Sequence, residues 1–124
     1  MSQSPGELVT ALIKANEDRD IDALLAVLSE DARYENVPMS VLTGHDEIRS
    51  MLEGFLGSAK EVTWEVLHQV EQGNVVMNER VDRFVMADGK KVSIRVAGLF
   101  EISDGKIAVW RDYFDLAEFT SQMA

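Results

Sequence analysis

Apolar residues in the first half of the chain recur at the spacing of α-helices. A first helix is predicted from Ser4-Pro5, a cap followed by proline at the first helical position. Its apolar stripe consists of Leu8, Leu12 and Ala15. A second helix is predicted from apolar residues spaced i, i+3, i+4 and i+7, at Ile21, Leu24, Leu25 and Leu28. A third apolar face lies in "TGHDEIRSMLEGFLGSA" and comprises Ile48, Met51, Leu52, Phe55 and Leu56.

In the second half of the chain the apolar period changes to two, which indicates β-strands. The strand candidates are "VTWEVLHQV", "VVMNERVDRFVM", "KVSIRVAGLFEI" and "IAVWRDYF". A turn at Gly73-Asn74 joins the first two, and the Asp-Gly pairs in "ADGK" and "SDGK" are hairpin signals between the others. One earlier short strand, "ARYENV", is expected to stop at Pro38. A short helix, "DLAEFTSQM", is expected to close the chain.

This order of elements predicts an α+β fold, in which helices pack on one face of a curved antiparallel sheet. The 124 residues, 46% of them hydrophobic, suffice for one packed core. No repeat, linker or low-complexity segment suggests a second domain, so residues 1–124 are interpreted as a single domain.

Composition and charge exclude several classes of function. The net charge of −10 disfavours nucleic acid and anionic membranes as partners, because both require clustered Lys and Arg. Residues 1–17 resemble neither a signal peptide nor a membrane span, and cysteine is absent, which fits a cytoplasmic protein. The two histidines, His45 and His68, form no metal-binding spacing, and no phosphate-binding loop is present. We therefore expect neither metal nor cofactor.

Two strands carry charged residues in the same row as aromatic ones. Side chains at i and i+2 of a strand face the same way, so Arg80 and Asp82 share a face with Phe84. On the last strand Asp112 stands between two aromatic neighbours and is costly to bury unless it is paired. Each pattern also has an ordinary interpretation: an exposed cross-strand ion pair for the first, and a hydrogen-bonded strand end for the second.

Tyr34 and Asn36 share a face of the short early strand and could equally be rim or turn residues. Taken together with the charged residues, they supply two acids, a permanent cation and two neutral polar groups able to orient a water molecule. Such a set can perform acid–base chemistry without a metal or a nucleophilic Ser, Cys or His.

The chain resembles the limonene epoxide hydrolase family in three segments, "YEN" at 34–36, "ERVDRF" at 79–84 and "VWRDYFDLAEF" at 109–119. The resemblance implies a cone-shaped fold of the nuclear-transport-factor-2 or ketosteroid-isomerase type, a homodimer, and hydrolysis of epoxides. Some members carry a longer N-terminal extension, and the comparison with them leads us to expect none here.

The resemblance also implies roles for five residues. Asp112, Tyr34 and Asn36 would hold the attacking water, with Asp112 as the base. Asp82 would protonate the epoxide oxygen, and Arg80 would bridge the two aspartates. Two carboxyl groups with separated pKa values can serve as acid and base, and we expect them to share one proton in a coupled titration.

The substrate pocket is expected to be apolar, because no other residue of the set would recognise a polar substrate. Its candidate walls are Leu52, Phe55, Leu56, Phe84, Ile94, Val96, Phe114 and Phe119. A small apolar epoxide and water are the expected partners. Two alternatives stay open: an isomerase or cyclase that moves a proton beside a carbonyl group, and a non-catalytic carrier or interaction module.

Overall fold

The computed structural model describes residues 3–124, which form four helices and six strands. The helices are α1 (Pro5–Glu17), α2 (Ile21–Ala26), α3 (Gly44–Gly57) and α4 (Leu116–Met123). The strands are β1 (Leu28–Asn36), β2 (Ser40–Thr43), β3 (Ala59–Gln72), β4 (Val75–Met86), β5 (Lys91–Ser103) and β6 (Lys106–Phe114). None of these helices is long and apolar enough to cross a membrane.

The predicted start of α1 is confirmed by a capping box. The Ser4 hydroxyl accepts a hydrogen bond from the Glu7 amide, and the Glu7 carboxylate accepts one from the Ser4 amide. Both bonds satisfy amides that the helix itself leaves unpaired. The start of the helix is thereby fixed, and its buried face packs against β3.

The strands form one mixed sheet in the order β2-β1-β6-β5-β4-β3. Four of the neighbouring pairs are antiparallel, as expected, but β1 runs parallel to β6. The antiparallel expectation came from the Asp-Gly hairpins, which govern only strands adjacent in sequence. β1 and β6 are separated in the sequence by α3 and four strands, so no local turn determines their relative direction.

The second helix is shorter than predicted, because Leu28 belongs to β1. Leu28 pairs with Ile107 of β6, and the Ile107 amide donates to the Val27 carbonyl at 2.9 Å. Burial in the sheet therefore explains an apolar residue that also fits the helical spacing. The early strand is correspondingly longer than "ARYENV", and the chain turns back after Pro38 to form β2, which the sequence patterns did not predict.

The apolar row of β3 does not stay on one face. A register shift between Val66 and His68 places Val70 opposite Met77, on the outer face of the sheet. Val62 and Trp64 remain buried, whereas Val70 is exposed. The inner face, covered by the helices, holds the core and encloses the site described next.

Candidate active site

Alternate residues of β4 point inward and carry the polar centre of the molecule. Asn78, Arg80, Asp82 and Phe84 are all buried, while the intervening residues are exposed or half-buried. The Arg80 side chain is fully buried. A buried guanidinium is tolerated only when its charge is balanced and its N–H groups are bonded.

Arg80 meets both requirements by bonding to three side chains at once. Its Nε donates to Asp82 Oδ1 and its Nη2 donates to Asp82 Oδ2, each with a nitrogen–oxygen distance of 3.0 Å. Nη2 also donates to Asp112 Oδ1 at 3.0 Å, and Nη1 donates to Asn78 Oδ1 at 2.9 Å. The face of the guanidinium lies 4.2 Å from the ring centre of Trp64, a cation–π contact.

Asp112 belongs to β6, which is separated from β4 in the sheet by β5, and its side chain extends across β5 to Arg80. Its second oxygen accepts a hydrogen bond from Trp110 Nε1 at 3.2 Å. Both carboxylate oxygens of Asp112 thus have one donor from the protein, and each keeps a lone pair free for another partner.

The parallel pairing of β1 with β6 brings the two neutral polar groups beside this carboxylate. Tyr34 pairs with Trp110, and Asn36 pairs with Asp112. The Tyr34 ring stacks on Trp110 at 3.7 Å, and its hydroxyl donates to Asn36 Oδ1 at 3.3 Å. The structure therefore brings together the five residues to which the family resemblance assigns roles: Tyr34, Asn36, Arg80, Asp82 and Asp112.

Burial changes the acidity of this cluster. Desolvation raises the pKa of Asp82 to about 6, although Arg80 acts in the opposite direction. Desolvation also raises the pKa of Asp112, against Arg80 and the Trp110 N–H, which both lower it. With one proton shared between the two acids, the cluster with Arg80 is neutral, which is the state that a buried site favours. Burial and Asp112 raise the pKa of Tyr34 above its usual range, so it remains a phenol.

A cavity of about 150 Å³ opens onto these side chains. All eight residues predicted as walls line it, together with Tyr34, Asn36, Asp82 and Asp112. An engineered apolar cavity of about this size admits a benzene ring. The space therefore suits a molecule with a single small ring.

The sequence patterns missed six further residues of the cavity wall. They are Asn16, Met39, Ser40, Met51, Trp64 and Trp110. Trp110 was recognised only as a neighbour of Asp112, and Trp64 only as part of an alternating strand. Asn16 gave no signal, because a polar residue near the end of a surface helix is ordinary.

Comparison of the chain with known proteins identifies its family. Residues 3–124 match the limonene-1,2-epoxide hydrolase catalytic domain. The chain belongs to the limonene-1,2-epoxide hydrolase family. Epoxide hydrolase EphG of Mycobacterium tuberculosis is 36% identical to it over 110 residues, which are 87% of this chain and 71% of the relative. The resemblance inferred from "YEN", "ERVDRF" and "VWRDYFDLAEF" is thus confirmed.

Solved structures agree with the predicted fold class. An epoxide hydrolase of this family's type from M. tuberculosis superposes with a TM-score of 0.85 at 29% identity, over 98% of this chain and 90% of that one. A polyketide cyclase-like protein from Xanthomonas campestris pv. campestris gives 0.82 at 24% identity, over 97% and 96%. The second likeness concerns the fold alone. Membership of the limonene-1,2-epoxide hydrolase family supports epoxide hydrolysis in general.

Proposed function

We propose that this protein adds water to a small, mainly apolar epoxide in a single step and releases a vicinal diol. The observation that carries the proposal is the Arg80 guanidinium bonded to two buried aspartates at the wall of the cavity. A ketone isomerase or cyclase would need one carboxylate to move a proton. The second carboxylate and its bridging arginine favour hydrolysis instead.

In the proposed reaction Asp112 is the base and Asp82 is the acid. Asp112, Tyr34 and Asn36 hold one water molecule, for which Asp112 retains a lone pair. Asn36 offers its side-chain N–H, which bonds to no other group within residues 3–124. The water oxygen attacks an epoxide carbon while its proton passes to Asp112. The C–O bond breaks, and the proton of Asp82 passes to the leaving oxygen, so that no charged alkoxide has to form.

The cluster ends the reaction with one proton, now on Asp112. Transfer of that proton back to Asp82 restores the starting state, and Arg80 favours the charged form of whichever acid is ionised. Burial raises the pKa of both acids, that of Asp82 to about 6, which supports one proton held between them. The family resemblance gives Asp82 the role of donor. Asp112 pairs with Asn36 across β6 and β1, which supports Asp112 as the base that takes the proton of the held water.

A single turnover in ¹⁸O-labelled water tests this route. A panel of cyclic epoxides of increasing size is first assayed for diol, and the best substrate is then used with enzyme in excess. Direct attack by water places the label in the new diol oxygen during the first cycle. A covalent route, with attack by the carboxylate, gives unlabelled diol in that cycle and moves the label into the protein.

The labelling experiment tests the one-step mechanism, and the substrate panel tests epoxide hydrolysis itself. Unlabelled first-turnover diol, or an alkyl ester on Asp112 detected by mass spectrometry, would reject the one-step mechanism but not the hydrolase. Failure to form diol from any epoxide of the panel would reject the hydrolase itself.

We also infer that two chains associate, as the family resemblance implies. The outer face of the sheet offers Val70 and Met77, which are paired across β3 and β4 and are 66% and 44% exposed. Light scattering of the purified protein measures this directly, and a monomer at micromolar concentration would contradict it.

A further inference from the structure

We propose that the cavity wall contains a polar subsite, formed by Asn16 and Trp64, for a neutral hydroxyl or carbonyl oxygen of the substrate. The inference rests on the proposed epoxide hydrolysis and specifies its substrate class: a ring epoxide that carries one such oxygen away from the reacting bond. It changes the expectation of a uniformly apolar pocket.

The first observation concerns Asn16, which lies near the end of α1. It is only 3% exposed, and its side chain lines the cavity. Within residues 3–124 its carboxamide forms no hydrogen bond, while its main-chain carbonyl accepts from Arg19 at 3.0 Å as part of the helix end. The amide is therefore not used to cap the helix. An apolar residue would fill this place at lower cost, since buried polar groups are normally hydrogen-bonded.

The second observation concerns the indole of Trp64. Its Nε1 is the one side-chain nitrogen or oxygen in the described part of the chain that has almost no accessible surface and also lacks a hydrogen-bond partner. The unbonded Asn16 carboxamide is not shielded to that degree. The Trp64 ring covers Arg80 and also lines the cavity. An unsatisfied buried donor costs free energy, and a partner from outside the protein is one physical explanation for its presence in a native fold.

Asn16 and Trp64 both line the cavity, and a hydrogen bond joins the segments that carry them. Glu17, the residue after Asn16, accepts a hydrogen bond from the Trp64 main-chain amide at 3.0 Å. This bond fixes the end of α1 against β3, beside the strand that carries Arg80. The subsite is thus distinct from Tyr34 and Asn36, which approach the cluster from β1 on the other side of β6.

The chemistry of the pair selects the group that it can bind. Trp Nε1 only donates, whereas the Asn carboxamide both donates and accepts. An oxygen that accepts from both residues, or a hydroxyl that also donates to Asn16, satisfies them. A carboxylate on the substrate is disfavoured because Asp82 and Asp112 line the same cavity and Arg80 already bonds to both.

A matched pair of substrates tests the proposal. The probes are 1,2-epoxycyclohexane carrying either a hydroxymethyl or an ethyl group on the ring carbon opposite the epoxide. The wild-type protein is expected to prefer the hydroxymethyl compound in kcat/KM. Asn16→Leu should reduce that preference about tenfold, because its side chain offers no hydrogen bond. Trp64→Phe keeps an aromatic ring over Arg80 and should lower the preference in the same direction.

The preference is a ratio between two substrates of one variant, so a general effect on the acid–base cluster cancels. An equal preference in wild type and in both variants would overturn the proposal. Thermal unfolding without ligand provides a second reading. Asn16→Leu should unfold at a higher temperature than wild type if the amide serves the ligand, and a lower temperature would assign Asn16 to the fold instead.

A non-reactive ligand separates this proposal from the epoxide hydrolase proposal. Cyclohexylmethanol has the ring and the hydroxyl but no epoxide. It should raise the unfolding temperature of the wild type and have little effect on Asn16→Leu. That result would uphold the subsite even if neither epoxide were hydrolysed, and an equal shift in both proteins would reject it.

Discussion

Asp82 and Asp112 are chemically identical side chains whose surroundings differ. Asp82 faces Arg80 with both oxygens, whereas Asp112 gives one oxygen to Arg80 and the other to the Trp110 N–H. Burial raises the pKa of both. In the proposed mechanism, this difference in partners lets one carboxyl hold a proton while the other stays ionised.

Replacing either carboxyl by an amide should abolish most of the activity. Asp82→Asn and Asp112→Asn should each lower kcat by at least ~10²-fold, the range typical of lost general acid or base catalysis. Because the two groups act as a unit, the double variant should lose far less than the product of the single losses. The measurement is steady-state diol formation, and near-normal turnover by Asp112→Asn would remove it from the mechanism.

Arg80 should not tolerate lysine, although the charge is retained. A lysine ammonium cannot reproduce the planar fork that reaches Asp82, Asp112 and Asn78 together. We expect Arg80→Lys to lose at least about tenfold in kcat, as one misplaced carboxylate suffices for such a loss. A matched control is Arg83→Lys, whose guanidinium lies on the exposed face and bonds to Glu65. Full activity of Arg80→Lys would indicate that positive charge alone is required.

At the scale of the element, β5 contributes to the site through Gly98, whose missing side chain leaves room for Arg80. Gly98 faces inward and pairs with Asn78 on one side and Asp112 on the other. A Cβ atom at this position would collide with Arg80 Nη1 and would lie 2.8 Å from Asn78 Oδ1. The glycine therefore leaves the space that the guanidinium occupies.

Gly98→Ala should accordingly impair catalysis from a strand that contributes no catalytic side chain. Displacing Arg80 would misplace both carboxylates, and a shift of about 1 Å can cost about 10²-fold in rate. Gly54→Ala is the control, since a Cβ there meets no atom within 4 Å on an exposed face of α3. Both variants are assayed for kcat and thermal unfolding. Wild-type kcat in Gly98→Ala would mean that the cluster adapts without loss.

The elements that the sequence predicted best are those governed by local rules. The Ser4-Pro5 start of α1 and the Asp-Gly hairpins depend on a few adjacent residues, and all of them are present. The parallel pairing of β1 with β6 was not predictable in this way, because it joins segments far apart in sequence. That pairing sets Tyr34 against Trp110, so their proximity required the family resemblance or the structure.

The same limit applies to the site. Alternation along β4 was enough to place Arg80, Asp82 and Phe84 in one row. Nothing in the sequence shows that Gly98 makes room for Arg80, or that Asn16 lines the cavity, because both depend on packing between distant segments. A residue that matters because it leaves space, or because its side chain faces a cavity, follows no periodic pattern in the sequence.

At the scale of the whole molecule, the buried acids make folding depend on pH. The pKa of Asp82 is raised to about 6 by burial, above the value of about 3.9 expected in an unfolded chain. Between these values the folded protein binds the proton more tightly than the unfolded chain does. The stabilising effect of this proton is fully present below about pH 3.9 and is lost as the pH rises through about 6.

We therefore expect the wild-type unfolding temperature to fall between pH 4.5 and 7.5 by more than that of Asp82→Asn, which has no proton to lose at this position. Over this pH range the shift corresponds to about 2 kcal/mol in the free energy of unfolding, enough to be measured by calorimetry. Asp31→Asn, at an exposed position of β1, serves as the control for removal of one charge. Parallel pH dependence in the wild type and Asp82→Asn would mean that Asp82 ionises as easily in the folded protein as in the unfolded chain, and it would remove the physical basis for assigning Asp82 as the proton donor.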